Sequence, residues 1–388
     1  MNPKRTWYQL LSKAQKQWLL ASLAIILLIP ALGWFADSGP VESTGFKTNT
    51  SMTLTQLAKE LHVTKGSMAR ELGLPMKTSK KIPVADLGIS MDQLEHASHH
   101  ILSHVPSKLK YFIYFAIALW GLVFLVVIGR PRNSEIKEKK LWYPQWIYLL
   151  TLSVSVLAAG FLLGKSPNPM EGTVKVFKTM VGLYSDPLVK LASFVFFLFL
   201  AFIGNKIICG WACPFGALEE LIYSLPVLKS IKKRKIPFWF SNAVRSLLFI
   251  AMLLFMFGIL GGKKGFVLYH SLNPFNLFAL DLESTVLQIS VACYLLLSFV
   301  TYRPFCSFIC PFGLASWFVE QISLFKVRVN TDKCTKCGAC YLACPNNAIK
   351  DRVEEAKLPA DCFSCTRCLN SCPVDAISYS CSSKPTGT

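Results

Sequence analysis

The chain has 388 residues, a net charge of +19, a hydrophobic share of 53% and only 16% charged residues. Soluble domains carry about 25% charged residues, so an ordinary soluble enzyme is excluded and much of the chain is expected in lipid. Its Lys and Arg stand beside apolar runs, which the positive-inside rule explains and nucleic-acid binding does not.

Taken in chain order, six segments are apolar enough to span a bilayer, which needs about 20 residues each. They lie at 18–35, 111–129, 146–164, 188–205, 244–261 and 286–302. Lys4, Arg5, Lys13 and Lys16 precede the first; Arg130, Arg132, Lys137, Lys139 and Lys140 follow the second; Lys206, Lys229, Lys232, Lys233, Arg234 and Lys235 follow the fourth. That pattern puts both termini in the cytoplasm. The first span is read as an uncleaved anchor (1–35) in preference to a signal peptide, because no A-x-A site precedes Asp37.

Residues 36–110 form a polar interruption on the outer face. Thr53 and Thr64 are expected to head short helices that stop at Gly73 and Pro75. A helix-turn-helix is the competing pattern, but the acidic residues and the outer location favour a small helical docking module. His96, His99, His100 and His104 precede the second span. A solvated interfacial helix explains them more simply than metal binding or proton release. No apolar run holds a histidine, so no haem is expected. The Lys229–Lys235 run is read as fixing topology and meeting anionic lipid, with docking of an acidic partner as the alternative.

The transmembrane domain (111–325) contains an internal repeat. Span three, an outer loop, span four and CGWACPFGALEEL resemble span five, an outer loop, span six and CSFICPFGLASWF; Cys209 and Cys306 are 97 residues apart. Asn168-Pro169 and Asn273-Pro274 recur in the two outer loops, as helix breakers or as the walls of a quinone pocket.

Twelve of the 14 cysteines fall in four short motifs, a regularity that argues for metal clusters in a reducing compartment over disulfides. In the tail (326–388), Cys334, Cys337, Cys340 and Cys344-Pro345 are followed at the same spacing by Cys362, Cys365, Cys368 and Cys372-Pro373. This is the bacterial two-cluster run, in which the fourth cysteine of each run serves the other cluster. The expected sets are Cys334, Cys337, Cys340 and Cys372 for one [4Fe–4S] cluster, and Cys362, Cys365, Cys368 and Cys344 for the other. Paired zinc sites rarely repeat this pattern. Cys381 is read as a free thiol and Cys293, in span six, as core.

The remaining four cysteines, Cys209, Cys213, Cys306 and Cys310, are expected at the cytoplasmic ends of spans four and six. If helical, each i, i+4 pair shares one face, and the repeat would gather four thiolates. These suit a third cluster or a soft-metal site; packing and a redox thiol pair are the alternatives. The expected fold class is mainly α: a six-helix transmembrane bundle with a two-helix repeat, plus a small α+β two-cluster ferredoxin domain.

Two C-x3-C-P motifs followed by a two-cluster tail resemble the NapH/NosR type of membrane iron–sulfur protein over roughly 146–377, and CGWACPFGALEE is especially similar to the NosR motif. The resemblance implies the electron-transfer subunit of a quinol dehydrogenase in a bacterial cytoplasmic membrane. Its partners would be the quinone pool, lipid and another redox protein or reductase subunit. The chain departs from NosR in lacking a large outer flavin-binding domain, and from NapH in its outer helical module. An assembly role that supplies electrons to a maturing metalloenzyme, or a redox-sensing regulator, is the alternative.

Overall fold

In the computed structural model the described residues are 52–60, 83–94, 108–128, 145–181, 187–227, 235–259, 267–270, 272–280, 284–356 and 358–381. Lys16, Gln17, Leu20, Leu72, Leu74, Lys232 and Leu282 are described singly. The first expected span, apart from Leu20, lies outside them. So do Thr64, Gly73, Pro75, His96, His99, His100 and His104. The chain divides into two compact units, one at residues 32–109 and one that includes Lys110–Thr388.

In the smaller unit, helix α1 (Leu54–Glu60) starts where Thr53 was expected to cap it. The Gln56 amide donates to Thr53 Oγ1 and the Thr53 amide donates to Gln56 Oε1. Ser90 and Gln93 repeat this reciprocal capping box, which satisfies amides a helix start leaves open. Leu54, Leu57, Val84, Ile89 and Leu94 are buried together beneath these two starts.

In the larger unit, α2 (Lys108–Ile128) and α3 (Gln145–Val154), which widens into a π-helical stretch at Ser155–Leu162, are followed by α4 (Pro169–Met180) and α5 (Pro187–Gly204). After α6 (Pro214–Ser224) come α7 (Phe238–Met256) and α8 (Thr285–Ser298), then α9 (Pro304–Phe308) and α10 (Pro311–Gln321). Two of the expected spans are long and apolar enough to cross a membrane: Leu109–Val127 and Phe238–Met256, with mean hydropathy 2.1 and 1.7. Three more apolar helices, at Trp146–Leu162, Leu188–Gly204 and Thr285–Ser298, are shorter. Asn205 and Lys206, at positive φ, end the fourth; Arg303, also at positive φ, follows the sixth. Outward-facing Leu157, Leu162, Leu188, Leu247 and Leu296 are 64–77% exposed, an apolar exterior that marks a lipid or protein contact surface.

Asn168 and Asn273 are helix caps. Asn168 Oδ1 accepts the Glu171 amide at 2.8 Å and Asn273 Oδ1 the Phe275 amide at 3.1 Å, with Pro169 and Pro274 in the first helical position. Cys293, expected in the core, is exposed. Helix α8 buries Leu287, Val291, Tyr294 and Ser298, a 3.6-residue stripe that Cys293 misses.

The tail closes on an antiparallel pair of strands, β1 (Lys326–Val329) and β2 (Ile377–Ser380), with Val327 opposite Tyr379. Both of these residues are buried. Between them lie α11 (Ala339–Ala343), α12 (Ala348–Val353) and α13 (Arg367–Ser371). Left-handed residues recur 28 positions apart: Lys336 and Ser364, Gly338 and Thr366, Asn347 and Asp375. Gly, Asn and Asp take this region readily; Lys336, Ser364 and Thr366 are held there by the loop.

Candidate metal centres

The tail gathers its eight cysteines in two crossed groups of four. One cavity is lined by Cys362, Cys365, Cys368 and, from the other run, Cys344. Another is lined by Cys334, Cys337, Cys340 and Cys372. Each run spends three cysteines on a loop and its start of helix; the five-residue helices α11 and α13 then carry the fourth across. Cys344 and Cys372 stay extended, with ψ of 117° and 116°, because the residue before a proline avoids the helical region. Left-handed residues flank Cys337 and Cys365 on both sides, the alternating hand of backbone nests that hold anions and iron–sulfur groups. Four sulfurs, a nest and a mainly apolar wall fit thiolate-held clusters in both cavities.

The C-x3-C pairs depart from the expected helix face. Cys209 sits in a π-helical turn (Ile208–Ala212) and Cys306 in α9, while Cys213 and Cys310 are extended caps of α6 and α10. The proline after each second cysteine breaks the helix between the two sulfurs. The turns match at an offset of 97. The Cys213 amide donates to Ile208 O at 2.7 Å and the Cys310 amide to Phe305 O at 2.9 Å; the Gly210 amide donates to Lys206 O and the Ser307 amide to Arg303 O, both at 2.9 Å. The four cysteines are all buried.

Neither does the first turn stop at the end of α5; it folds back along α3. Tyr148 donates to Gly210 O at 3.1 Å and Ser155 to Ala212 O at 2.7 Å. A Cβ on Gly160 would lie 3.2 Å from Pro214 Cβ. From Tyr148 to Gly160 is roughly three helical turns, so Cys213 lies well inside the helical bundle. Trp211 fills the space beside Gly121, where a Cβ would come within 2.9 Å of its ring.

The second ferredoxin loop is inserted between the two turns. Asn205 Nδ2 donates to Cys362 O at 2.9 Å and Trp211 Nε1 to Ser364 O at 3.1 Å. The Cys362 amide donates to Glu320 Oε1 at 3.0 Å. Lys235, from the basic run, reaches Tyr341 O in the tail, and Lys232 donates to Tyr223 O and Leu225 O. Both described lysines of that run therefore pack on protein.

A buried charge network surrounds this junction. Asp361 pairs with Lys206 and, at 2.9 Å, with Arg245. Glu220 pairs with Arg303 at 3.0 Å and Arg367 at 2.6 Å. Glu320 pairs with Arg352 at 2.8 Å. Burial acts to raise the Asp361 and Glu220 carboxyls, but their cationic partners outweigh it and hold both below the usual carboxylate range. Among the described residues Glu219 makes no such ion pair, although Arg303 pulls on it from farther away. Burial pushes its carboxyl up to about 7, against the pull of the Phe305 amide and the Cys306 thiol. Of these charged groups the sequence singled out only Lys206, and only as a topology marker. Arg245 was the available signal, since an ionisable residue inside an expected span marks a functional position by default.

The close fit yields a prediction at Gly210. A Cβ there would lie 2.0 Å from the Phe363 carbonyl oxygen, a backbone atom without a rotamer to yield. Gly210→Ala is expected to cost about 1–3 kcal/mol, as overpacking does. A lowered thermal midpoint of the solubilised full chain would register it; an unchanged midpoint would contradict the insertion.

A 4Fe-4S binding domain family matches the chain twice, at residues 187–237 and 285–330, and a second 4Fe-4S binding domain family matches residues 327–350. The electron transport protein YccM of Escherichia coli is 27% identical over 250 residues, 60% of this chain and 67% of its own. The ferredoxin-type protein NapH of Haemophilus influenzae is 25% identical over 207 residues, 50% of this chain and 69% of its own. The chain is similar to the NapH-like ferredoxin-type electron transport proteins. A further relative, the methylamine utilization ferredoxin-type protein MauN of Methylorubrum extorquens, is 28% identical over 211 residues, 51% of this chain and 69% of its own. No solved structure matches the chain. The two matched stretches of the first domain carry the C-x3-C turns, and the third carries the first ferredoxin run. Together the matched stretches contain every cysteine except Cys381 and those of the second run.

Proposed function

We propose that this NapH-like chain is a membrane-embedded electron-transfer protein that takes electrons from quinol and relays them to a respiratory redox partner. The observation that carries the reading is the insertion of the Cys362–Cys365 loop between the two C-x3-C turns. It supports a row of three groups of four cysteines, with buried Cys209, Cys213, Cys306 and Cys310 at one end and exposed Cys337 at the other. A [4Fe–4S] cluster bound at such a group accepts and releases single electrons. Cys334, Cys337, Cys340 and Cys372 would hold one, and Cys362, Cys365, Cys368 and Cys344 another. Cys209, Cys213, Cys306 and Cys310 would hold a third centre.

The protein's own groups have distinct tasks here. Trp211, Phe215, Phe305 and Phe312 are buried around the turns and keep water from the sulfurs. The paired carboxylates and cations clamp the tail to the bundle. The helical bundle carries six spans, of which the third and fourth are repeated by the fifth and sixth, with both termini in the cytoplasm of a bacterial cell. The matched hydrogen bonds 97 residues apart support the repeat, and the exposed leucines support the lipid contact. Residues 36–110 serve as a docking module on the outer face.

Iron content and EPR spectra of a Cys209→Ser/Cys306→Ser variant test the reading. One centre is expected to disappear while the two ferredoxin-type signals persist. Unchanged iron and spectra would remove the third centre from the account.

A further inference from the structure

Two buried cations stand at matched positions beside the turn cysteines. Lys206 lies three residues before Cys209 and Arg303 three before Cys306. Both are 0% exposed. Both have left-handed backbones, with φ of 59° and 46°, a region that long side chains avoid unless their surroundings hold them there. Each reaches across to the opposite turn. Arg303 donates to Cys209 O and, at 3.0 Å, to Gly210 O of the first turn. Lys206 donates to Gly313 O, just past the second turn, at 3.0 Å.

The glycine of each C-P-F-G sequence makes room for a guanidinium. A Cβ on Gly216 would lie 2.9 Å from an Arg303 nitrogen and 3.5 Å from Cys306 Sγ. One on Gly313 would lie 3.1 Å from an Arg245 nitrogen and 3.5 Å from Cys310 Cβ. Arg303 therefore stands beside Cys306 and Arg245 beside Cys310, while Lys206 meets the end of the second turn at Gly313 O. Arg303 and Lys206 also flank one aromatic ring. Arg303 lies 5.0 Å and Lys206 5.4 Å from the centre of Phe363, the residue next to Cys362 in the inserted loop. Asp361 and Glu220 anchor their outer sides.

We propose that Lys206 and Arg303 are a matched pair of positioning residues that raise the reduction potential of the centre held by Cys209, Cys213, Cys306 and Cys310. This rests on the reading of those four cysteines as a centre. The physical basis is direct. Four thiolates concentrate negative charge in a dry site, where a nearby positive charge is weakly screened and stabilises each added electron. Net charge and hydrogen bonds around the sulfurs are known levers on cluster potential, and groups outside the ligand shell hold and tune the ligands. The carboxylate partners on the far side fix the cations in place, and Phe363 lies between them on the side of the ferredoxin clusters.

The test is an EPR-monitored redox titration of the anaerobically purified full chain. It compares the unmodified protein with Arg303→Gln, Lys206→Gln and the charge-conserving Arg303→Lys and Lys206→Arg. Each Gln variant is expected to shift the oxidised-to-reduced ratio of the turn-cysteine signal at least tenfold toward oxidised. For one electron that is a fall of about 59 mV. The charge-conserving variants are expected to stay within threefold of the unmodified protein. Iron content and the ferredoxin-type signals report assembly. Failure of the Gln variants to assemble while their charge-conserving counterparts do counts for the proposal. Loss of assembly in both sets, equal shifts in both sets, or an unmoved midpoint in an assembled Gln variant overturns it. If the signal survives in Cys209→Ser/Cys306→Ser, the reading of the four cysteines fails too, which separates the two failures.

Discussion

Cys344→Ser is expected to strip the centre of the second run while sparing that of the first. Cys344 follows Cys334, Cys337 and Cys340 in sequence, so a chain that filled its runs independently would lose the first centre instead. The structure places Cys344 with Cys362, Cys365 and Cys368, in the cavity nearest the membrane turns. A serine there removes one thiolate of four, and the loss expected is one cluster, about four irons per chain. Cys372→Ser is the reciprocal case and should empty the outer group with Cys337. Mössbauer or EPR spectra distinguish the two, because the inner centre is buried beside the turns and the outer one has an exposed cysteine. Loss of the same signal in both variants would contradict the crossing.

Asp361→Ala is expected to destabilise the docking of the tail by about 3–5 kcal/mol, the cost of breaking a buried ion pair from one side. Lys206 and Arg245 would be left buried without their shared carboxylate, since both reach it and all three residues are at most 1% exposed. The Asp361 carboxyl is held below the usual range. Its stabilising contribution is therefore complete above the unfolded carboxylate value of about 3.9, and is lost only as pH falls through the depressed value. At neutral pH the full effect should appear, as faster proteolysis between bundle and tail and a lowered thermal midpoint. Asp361→Asn should retain part of the packing but not the charge, and fall between. An Asp361→Ala chain as resistant as the unmodified one would show that the network does not clamp the junction.

The tail was the most legible part of the sequence. Its spacing dictates which cysteines share a loop, and the proline after each run's fourth cysteine forces the extended step that carries it across. The helices were legible as apolar runs, but their ends were not. Asn205, Lys206 and Arg303 stop or follow helices through left-handed backbone that no hydropathy pattern encodes. The C-x3-C turns misled for a related reason. An i, i+4 spacing reads the same for one helix face as for a π-helical turn followed by a proline break. Only the contacts of Gly210, Ala212 and Pro214 with α3 reveal that the chain folds inward. Cys293 was misplaced because an apolar run looks equally buried on every side, whereas α8 buries only one stripe. The charge network was hidden because its partners come from distant segments: Asp361 meets Lys206 and Arg245 across 155 and 116 positions. Arg245 alone carried a signal that was missed, a charge inside an expected apolar span.

The central claim is that electrons enter this protein from quinol and occupy its cysteine-held centres. The direct measurement is an anaerobic titration of the purified full chain with a quinol analogue, followed by EPR and optical absorbance. Reduction of the cluster signals in proportion to added quinol is the predicted result. Clusters that are present, reducible by dithionite and untouched by quinol at any concentration would contradict it.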